Sequence, residues 1–161
     1  MVEIIDKIFA EKAVILSDEF HIVSDKFPVS KSHLLALSKK RLCAILLDDF
    51  DVLFNLLKLL KEYFQEEYMF FERGNVPFCT SFNGPHCAHV HVVLASEYKK
   101  EIIDNLLTIT NAEKLDITKL EQISSNEYLL FGNSKNIYVT KTEKKLPKRF
   151  IRTFLMDNKL P

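Results

Sequence analysis

Hydrophobic residues along the chain fall into short blocks separated by polar turns, and the spacing within a block shifts between two and three-to-four residues. Ala13-Val14-Ile15-Leu16 and Phe20-His21-Ile22-Val23 flank the polar turn Ser17-Asp18-Glu19, which predicts two short strands. Phe27 to Ser32, with Pro28 and two serines, has loop composition, and His33 to Leu37 predicts a third, more buried strand. The period then changes. Phe50, Leu53, Phe54, Leu57, Leu60 and Phe64 recur at helical steps, with Lys58, Lys61, Glu62 and Glu66 between them and Asp48 or Asp49 placed to cap the first turn. Such an amphipathic helix is expected to lie with one face on a sheet. Tyr68 to Glu72 predicts a strand ended by Arg73-Gly74-Asn75, and a loop through Asn83-Gly84-Pro85 leads to a strand over Cys87 to Leu94. Glu97 to Leu107 predicts a second, less regular helix. Tyr128 to Phe131 and Asn136 to Thr140 around Gly132-Asn133-Ser134-Lys135 carry a hairpin signal, and Pro147 precedes a last helix expected over 148–156.

These elements sum to an α+β class: an antiparallel sheet of about five main strands, one long helix packed on it and a short C-terminal helix. With 161 residues, 47% of them hydrophobic and 27% charged, the chain suits one globular domain over 1–161. Its core is expected over 14–110, and its C-terminal hairpin and helix over 120–158. Lys plus Arg (22) balances Asp plus Glu (22), which excludes a general attraction to nucleic acid or an anionic membrane. The richest apolar run, Leu46 to Leu60, is broken by Asp48, Asp49, Asp51, Asn55 and Lys58, so a membrane span is not expected. The chain opens with Glu3 and Asp6 rather than the basic segment of a secretory signal. Three cysteines (Cys43, Cys79, Cys87) form no Cys-x-x-Cys pair, which together with that start predicts a reducing, cytoplasmic setting.

Chemistry concentrates in Gly84-Pro85-His86-Cys87-Ala88-His89-Val90-His91-Val92-Val93-Leu94. On a strand, alternate side chains share a face, so Cys87, His89 and His91 point one way and the small apolar Ala88, Val90 and Val92 the other. Two imidazoles then stand roughly 7 Å apart on one rim. The pair alone leaves three readings open: a satisfied structural pair, a metal site that would add His86 and Cys87, or a catalytic pair.

The run resembles the signature of the histidine triad superfamily, and particularly a branch reading Asp-His-Ala-His-Leu-His-Val. Here those positions are His86-Cys87-Ala88-His89-Val90-His91-Val92. Three further segments are similar to the family pattern in the same order. They are Asp25-Lys26-Phe27-Pro28 with His33-Leu34-Leu35-Ala36-Leu37-Ser38-Lys39, then Phe71-Glu72-Arg73-Gly74, then Leu146-Pro147-Lys148-Arg149-Phe150-Ile151-Arg152. The resemblance implies a HIT-like fold and a nucleotide hydrolase or transferase that cleaves a nucleoside 5′-phosphoryl bond through a nucleotidyl-histidine intermediate. It implies His89 as the nucleophile, His91 as a phosphate contact and His33 as a support from the neighbouring strand. Neutral imidazole is a competent nucleophile near pH 7, its ordinary pKa being about 6.5. The nucleotide would be held by Val23 on the base, Asp25 on the ribose hydroxyls, and Asn83, Cys87 and Arg152 near phosphate, with Ile8 or Phe9 as further base contacts. Dinucleoside polyphosphates, phosphoramidates and nucleotide sugars all fit as donors, a purine base is expected, and no metal or other cofactor is required. Relatives in this family are often dimers, so a homodimer is compatible, although nothing in the chain isolates an interface.

Each assignment has a plainer alternative. Asp25 could cap the turn into Phe27-Pro28, Asn83 before Gly84 is an ordinary turn former, and His33 could be a satisfied core histidine. Cys87 stands where the family has its first histidine and offers only a weak S–H donor. That substitution motivates the main alternative, a nucleotide-binding protein with weak turnover; a metal-binding cluster of His86, Cys87, His89 and His91 is the second. Lys141, Lys144, Lys145, Lys148, Arg149 and Arg152 crowd a segment whose only acid is Glu143. A solvated surface accounts for most of that run, with Arg152 the exception because it matches the family arginine.

Overall fold

The computed structural model of the chain describes residues 13–15, 17–39, 45, 50–74, 89–116, 118, 127–140, 146–147 and 149–161. Within them, eight strands form one sheet: β1 (Ala13–Ile15), β2 (Phe20–Ser24), β3 (Leu34–Ser38), β4 (Tyr68–Gly74), β5 (His89–Leu94), β6 (Glu113–Lys114), β7 (Tyr128–Asn133) and β8 (Ile137–Val139). Their spatial order is β1-β2-β3-β5-β4-β7-β8-β6, and every neighbouring pair is antiparallel. The helices are α1 (Phe50–Tyr63), α2 (Ile102–Thr110) and α3 (Phe150–Asn158), with a 3-10 turn at Ala95–Glu97. None is long and apolar enough to cross a membrane.

The alternation read from the sequence sorts the strands into two buried faces. Ile22, Leu34, Ala36, Tyr68, Phe70, Val90, Val92 and Leu130 pack with Val52, Leu53, Leu56 and Leu60 of α1. Met69, Phe71, Val93, Leu129 and Phe131 pack on the opposite face with Ile102 and Leu106 of α2 and Ile151, Phe154 and Leu155 of α3. The three fully buried leucines of α1 are each worth about 1.5–3 kcal/mol of transfer free energy, so the helix is held by its face and not by its propensity. Because Val90 and Val92 belong to the α1 face, His89 and His91 belong to the α2/α3 face.

The sheet has eight strands where about five main ones were expected. Three of the eight are only two or three residues long, and Glu113–Lys114 is exposed on both residues, so no hydrophobic alternation marks it. The second helix also begins later than Glu97. Tyr98 bridges Lys159, Lys99 N–H donates to Asn158 O and Leu160 N–H donates to Glu97 O, so the chain after β5 is taken up by the C-terminus before it can turn helical. That helix continues past Leu107 to Thr110, where Asn111 closes it in the left-handed conformation. The C-terminal helix starts at Phe150, later than the expected 148, because Arg149 before it sits at φ 59°.

The motif around Gly74 has a packing reason. Gly74 faces Tyr128 on β7, and a side chain at 74 would overlap the Tyr128 ring, whose hydroxyl reaches back to Glu72. Next to it, Arg73 donates Nη1 to Pro147 O at 2.7 Å and Nη2 to Leu146 O at 2.6 Å, while its Nε bonds Glu127 at 2.7 Å. Arg73 thus fixes the chain just before α3, which sets where Arg152 can reach.

Candidate active site

β5 lies between β3 and β4, so its side chains are flanked on both sides. His91 is opposite Leu35 on β3 and Phe71 on β4, and His89 is opposite Leu37. His91 is buried, whereas His89, at the strand's start, is half-buried. Their ring centroids are 5.2 Å apart in an edge-to-face arrangement. Val23 falls on the same face as Leu35, its cross-strand partner, and is buried.

The loop from β2 to β3 supplies the remaining groups. Asp25 N–H donates to His33 O and His33 N–H to Ser30 O, closing the loop on itself. Asp25 Oδ1 accepts from Phe27 N–H at 2.8 Å, the turn-capping role that its place before Phe27-Pro28 allows. Its other oxygen, Oδ2, accepts from Arg152 Nη2 at 2.7 Å and lies 3.3 Å from His33 Nε2 and 3.9 Å from His91 Nδ1. His33 Nε2 and His91 Nδ1 are 2.9 Å apart. Val29 N–H donates to the other nitrogen of His33, Nδ1, at 3.1 Å.

Burial dominates the protonation of both inner histidines. His33 is lowered to about 4, chiefly by desolvation and further by Arg152, against the raising effect of Asp25 and Glu97. Desolvation first, then the neighbouring His89 and His33, hold His91 well below the ordinary range. At neutral pH the site therefore contains two neutral imidazoles beside a carboxylate paired to a guanidinium.

Among the described residues, Asp25, His33 and His91 bring three donor atoms within 4.8 Å of one another, a set that suits a metal in number and kind. The Arg152 guanidinium on the same Oδ2 already supplies a positive charge there, and a second cation beside it would be repelled. Of the His86-Cys87-His89-His91 cluster considered from sequence, His86 and Cys87 lie outside the described residues, as do Asn83, Ile8, Phe9, Asp48, Asp49 and Lys148.

Five residues singled out in the sequence, Asp25, His33, His89, His91 and Arg152, come together, and Val23 shares their face. Sequence reasoning missed the clamp around them. Ser32 Oγ donates to Glu97 Oε2 at 2.9 Å and accepts from Leu94 N–H, while Tyr98 Oη donates to buried Ser30 Oγ at 3.0 Å. These contacts tie the β2–β3 loop to the chain leaving β5. Their partners are more than sixty residues apart, and a lone serine or glutamate carries no local signal of such a bond.

No family model matches the sequence, and neither does any curated protein. Among solved structures, the fold is similar to yeast Ap4A phosphorylase Apa2 in complex with AMP, with 16% sequence identity and a TM-score of 0.45. That likeness covers 88% of this chain and 66% of the yeast chain.

Proposed function

We propose that the chain is a nucleotide hydrolase or transferase that cleaves a nucleoside 5′-phosphoryl bond through a nucleotidyl intermediate on His89. The observation that carries this reading is the row of imidazoles on one face of β5. A half-buried His89 stands beside buried, neutral His91, which is bonded in turn to His33. A structural histidine pair would need only the inner two; the half-burial of the outer one supports a role toward a ligand.

In this mechanism a neutral ring nitrogen of His89 attacks the α-phosphorus. The P–N bond forms as the bond to the leaving group breaks, and the electron pair departs with that group. Water then attacks the same phosphorus, the P–N bond breaks, a proton is lost to solvent, and a nucleoside monophosphate leaves. His91, neutral and fixed before reaction, donates a hydrogen bond to the phosphoryl oxygens as they gain charge. Val23 forms part of the base wall, and Asn83 and Cys87 contact phosphate. A direct contact to the nucleotide from Asp25, whose side chain is 1% exposed, would require its ion pair with Arg152 to open. Purine dinucleoside polyphosphates, phosphoramidates and nucleotide sugars remain the donor classes, and no cofactor is needed.

The test is release of AMP from diadenosine tetraphosphate, adenosine phosphoramidate and an ADP-sugar by wild type and by His89→Ala. Wild type is expected to release AMP from at least one of them and to trap an acid-labile adduct on His89. His89→Ala is expected to lose turnover by about 10³-fold or more while binding AMP nearly as well in calorimetry. Turnover undiminished in the variant would overturn the mechanism. Binding of AMP by wild type with no release from any donor would instead establish the weak-turnover binder that Cys87 suggests.

A further inference from the structure

Arg152 comes from α3, 127 positions along the chain from Asp25, and its guanidinium is used twice at the histidine site. Nη2 holds Asp25 Oδ2 at 2.7 Å, and Nη1 holds Phe27 O at 2.8 Å. The Asp25 side chain is 1% exposed and the Arg152 side chain 31%, so the carboxylate is sealed while the arginine stem bridges to the surface. With Oδ1 taken by Phe27 N–H, these contacts turn Oδ2 toward His33 Nε2.

The protons then follow by elimination. Val29 N–H donates to His33 Nδ1, so Nδ1 is an acceptor and neutral His33 carries its hydrogen on Nε2. That hydrogen faces both Asp25 Oδ2 and His91 Nδ1. His91 Nδ1 is therefore an acceptor too, and neutral His91 carries its hydrogen on Nε2.

We propose that Arg152 and Asp25 are positioning residues: together with Val29 N–H on His33 Nδ1, their ion pair, reaching from α3 to the β2–β3 loop, holds the Nε2–H tautomer of His33 and through it that of His91. The tautomers are a property of the free protein, and only their consequence for turnover rests on the phosphoryl-transfer reading. The charged and titratable groups around His33 are Asp25, Arg152, Glu97 and His91, and those around His91 are His89, His33, Arg152 and Asp25. Removing the guanidinium takes away one influence that keeps His33 neutral and leaves Asp25, which favours its cation. As pH falls, the neutral chain then gives way to a His33 cation paired with Asp25 at a higher pH than in wild type, and on that protonation His33 and His91 lose their defined order of donor and acceptor.

The experiment is two-bond 1H–15N correlation NMR on the full chain with 15N-labelled histidine, for wild type, Arg152→Met, Arg152→Lys and Asp25→Asn. In wild type, His33 and His91 are expected as Nε2–H tautomers at neutral pH. In Arg152→Met, the His33 midpoint is expected to rise by about one pH unit or more, and Arg152→Lys to recover part of that shift. With diadenosine tetraphosphate as probe, Arg152→Met is expected to lower kcat about tenfold with KM changed less than about twofold, and to move the acid limb of the pH profile upward. Unchanged tautomers and midpoints in both Arg152→Met and Asp25→Asn would overturn the proposal. So would a higher KM at constant kcat, which marks a direct nucleotide contact. If Arg152→Met fails to fold by circular dichroism, the milder Arg152→Lys and Asp25→Asn decide by the same NMR readout. Absence of turnover in wild type would count against the proposed reaction and leave the tautomer result standing.

Discussion

On the α2/α3 face of the sheet, Asp25, His33, His91 and Arg152 bury an ion pair beside two imidazoles; on the α1 face, Glu72 is buried with no cation beside it among the described residues. Glu72 is 0% exposed and continues the row of Tyr68 and Phe70. Its Oε1 accepts from Tyr128 Oη at 2.6 Å and its Oε2 from Ile45 N–H at 2.7 Å. Two neutral donors do not offset full burial, and its pKa is pushed up to about 7. The contrast shows two ways of keeping charge tolerable in a sheet core. One face neutralises a carboxylate with arginine and keeps its histidines uncharged. The other leaves a lone carboxyl free to take up a proton. Their stabilities must therefore respond to pH with opposite sign.

The largest effect is expected from the histidine side. His33 falls from 6.5 to about 4 on folding, so the unfolded chain binds more protons across that range. Its contribution is intact above about pH 6.5 and is lost as pH falls toward 4, on the order of 3 kcal/mol for this residue, with His91 adding in the same direction. Urea denaturation at successive pH values should show a steep loss between 6.5 and 4 that is reduced in His33→Gln. A slope shared by both proteins would mean that the pair is not held neutral.

Glu72→Gln sharpens the comparison from the other side. The wild-type carboxyl rises from 4.5 to about 7 on folding, so its contribution is full below about pH 4.5 and is lost as pH rises through 7. Glutamine can still accept from Ile45 N–H and can donate to Tyr128 Oη, but it does not titrate. Relative to wild type the variant should therefore gain, by on the order of 3 kcal/mol, between pH 4.5 and about 8. A stability difference that stays constant over that range would show that Glu72 ionises normally.

The two faces were unequally legible in the sequence. Strict alternation in Val90-His91-Val92 separated the histidine face from the α1 face, and the helical period located α1 to within a residue, because both patterns are local. Tyr68-Met69-Phe70-Phe71-Glu72 also held a usable signal. An acid in step with Tyr68 and Phe70 on a buried strand must find donors, though nothing local named Ile45 or Tyr128. The Asp25–Arg152 pair was out of reach for the same reason: each residue stood in its own motif, and only the docking of α3, pinned by Arg73 at Leu146 and Pro147, brings them together. Glu113–Lys114 escaped because an exposed edge strand needs no apolar pattern.

The smallest of these effects, and the most local, belongs to Tyr128→Phe. The phenol ring packs in the α1 core and lies over Gly74, and phenylalanine preserves that packing while removing the hydrogen bond to Glu72 Oε1. That bond favours the ionised carboxylate, so its loss should raise the Glu72 pKa above about 7. The cost should be about 1–3 kcal/mol at pH 8, where a buried carboxylate loses one of its donors, and smaller at pH 5, where the carboxyl is already protonated. Chemical denaturation at the two pH values measures both numbers. An equal loss at pH 5 and pH 8 would mean that the phenol stabilises the fold without reference to charge at Glu72, and that the contrast between the two faces is one of packing alone.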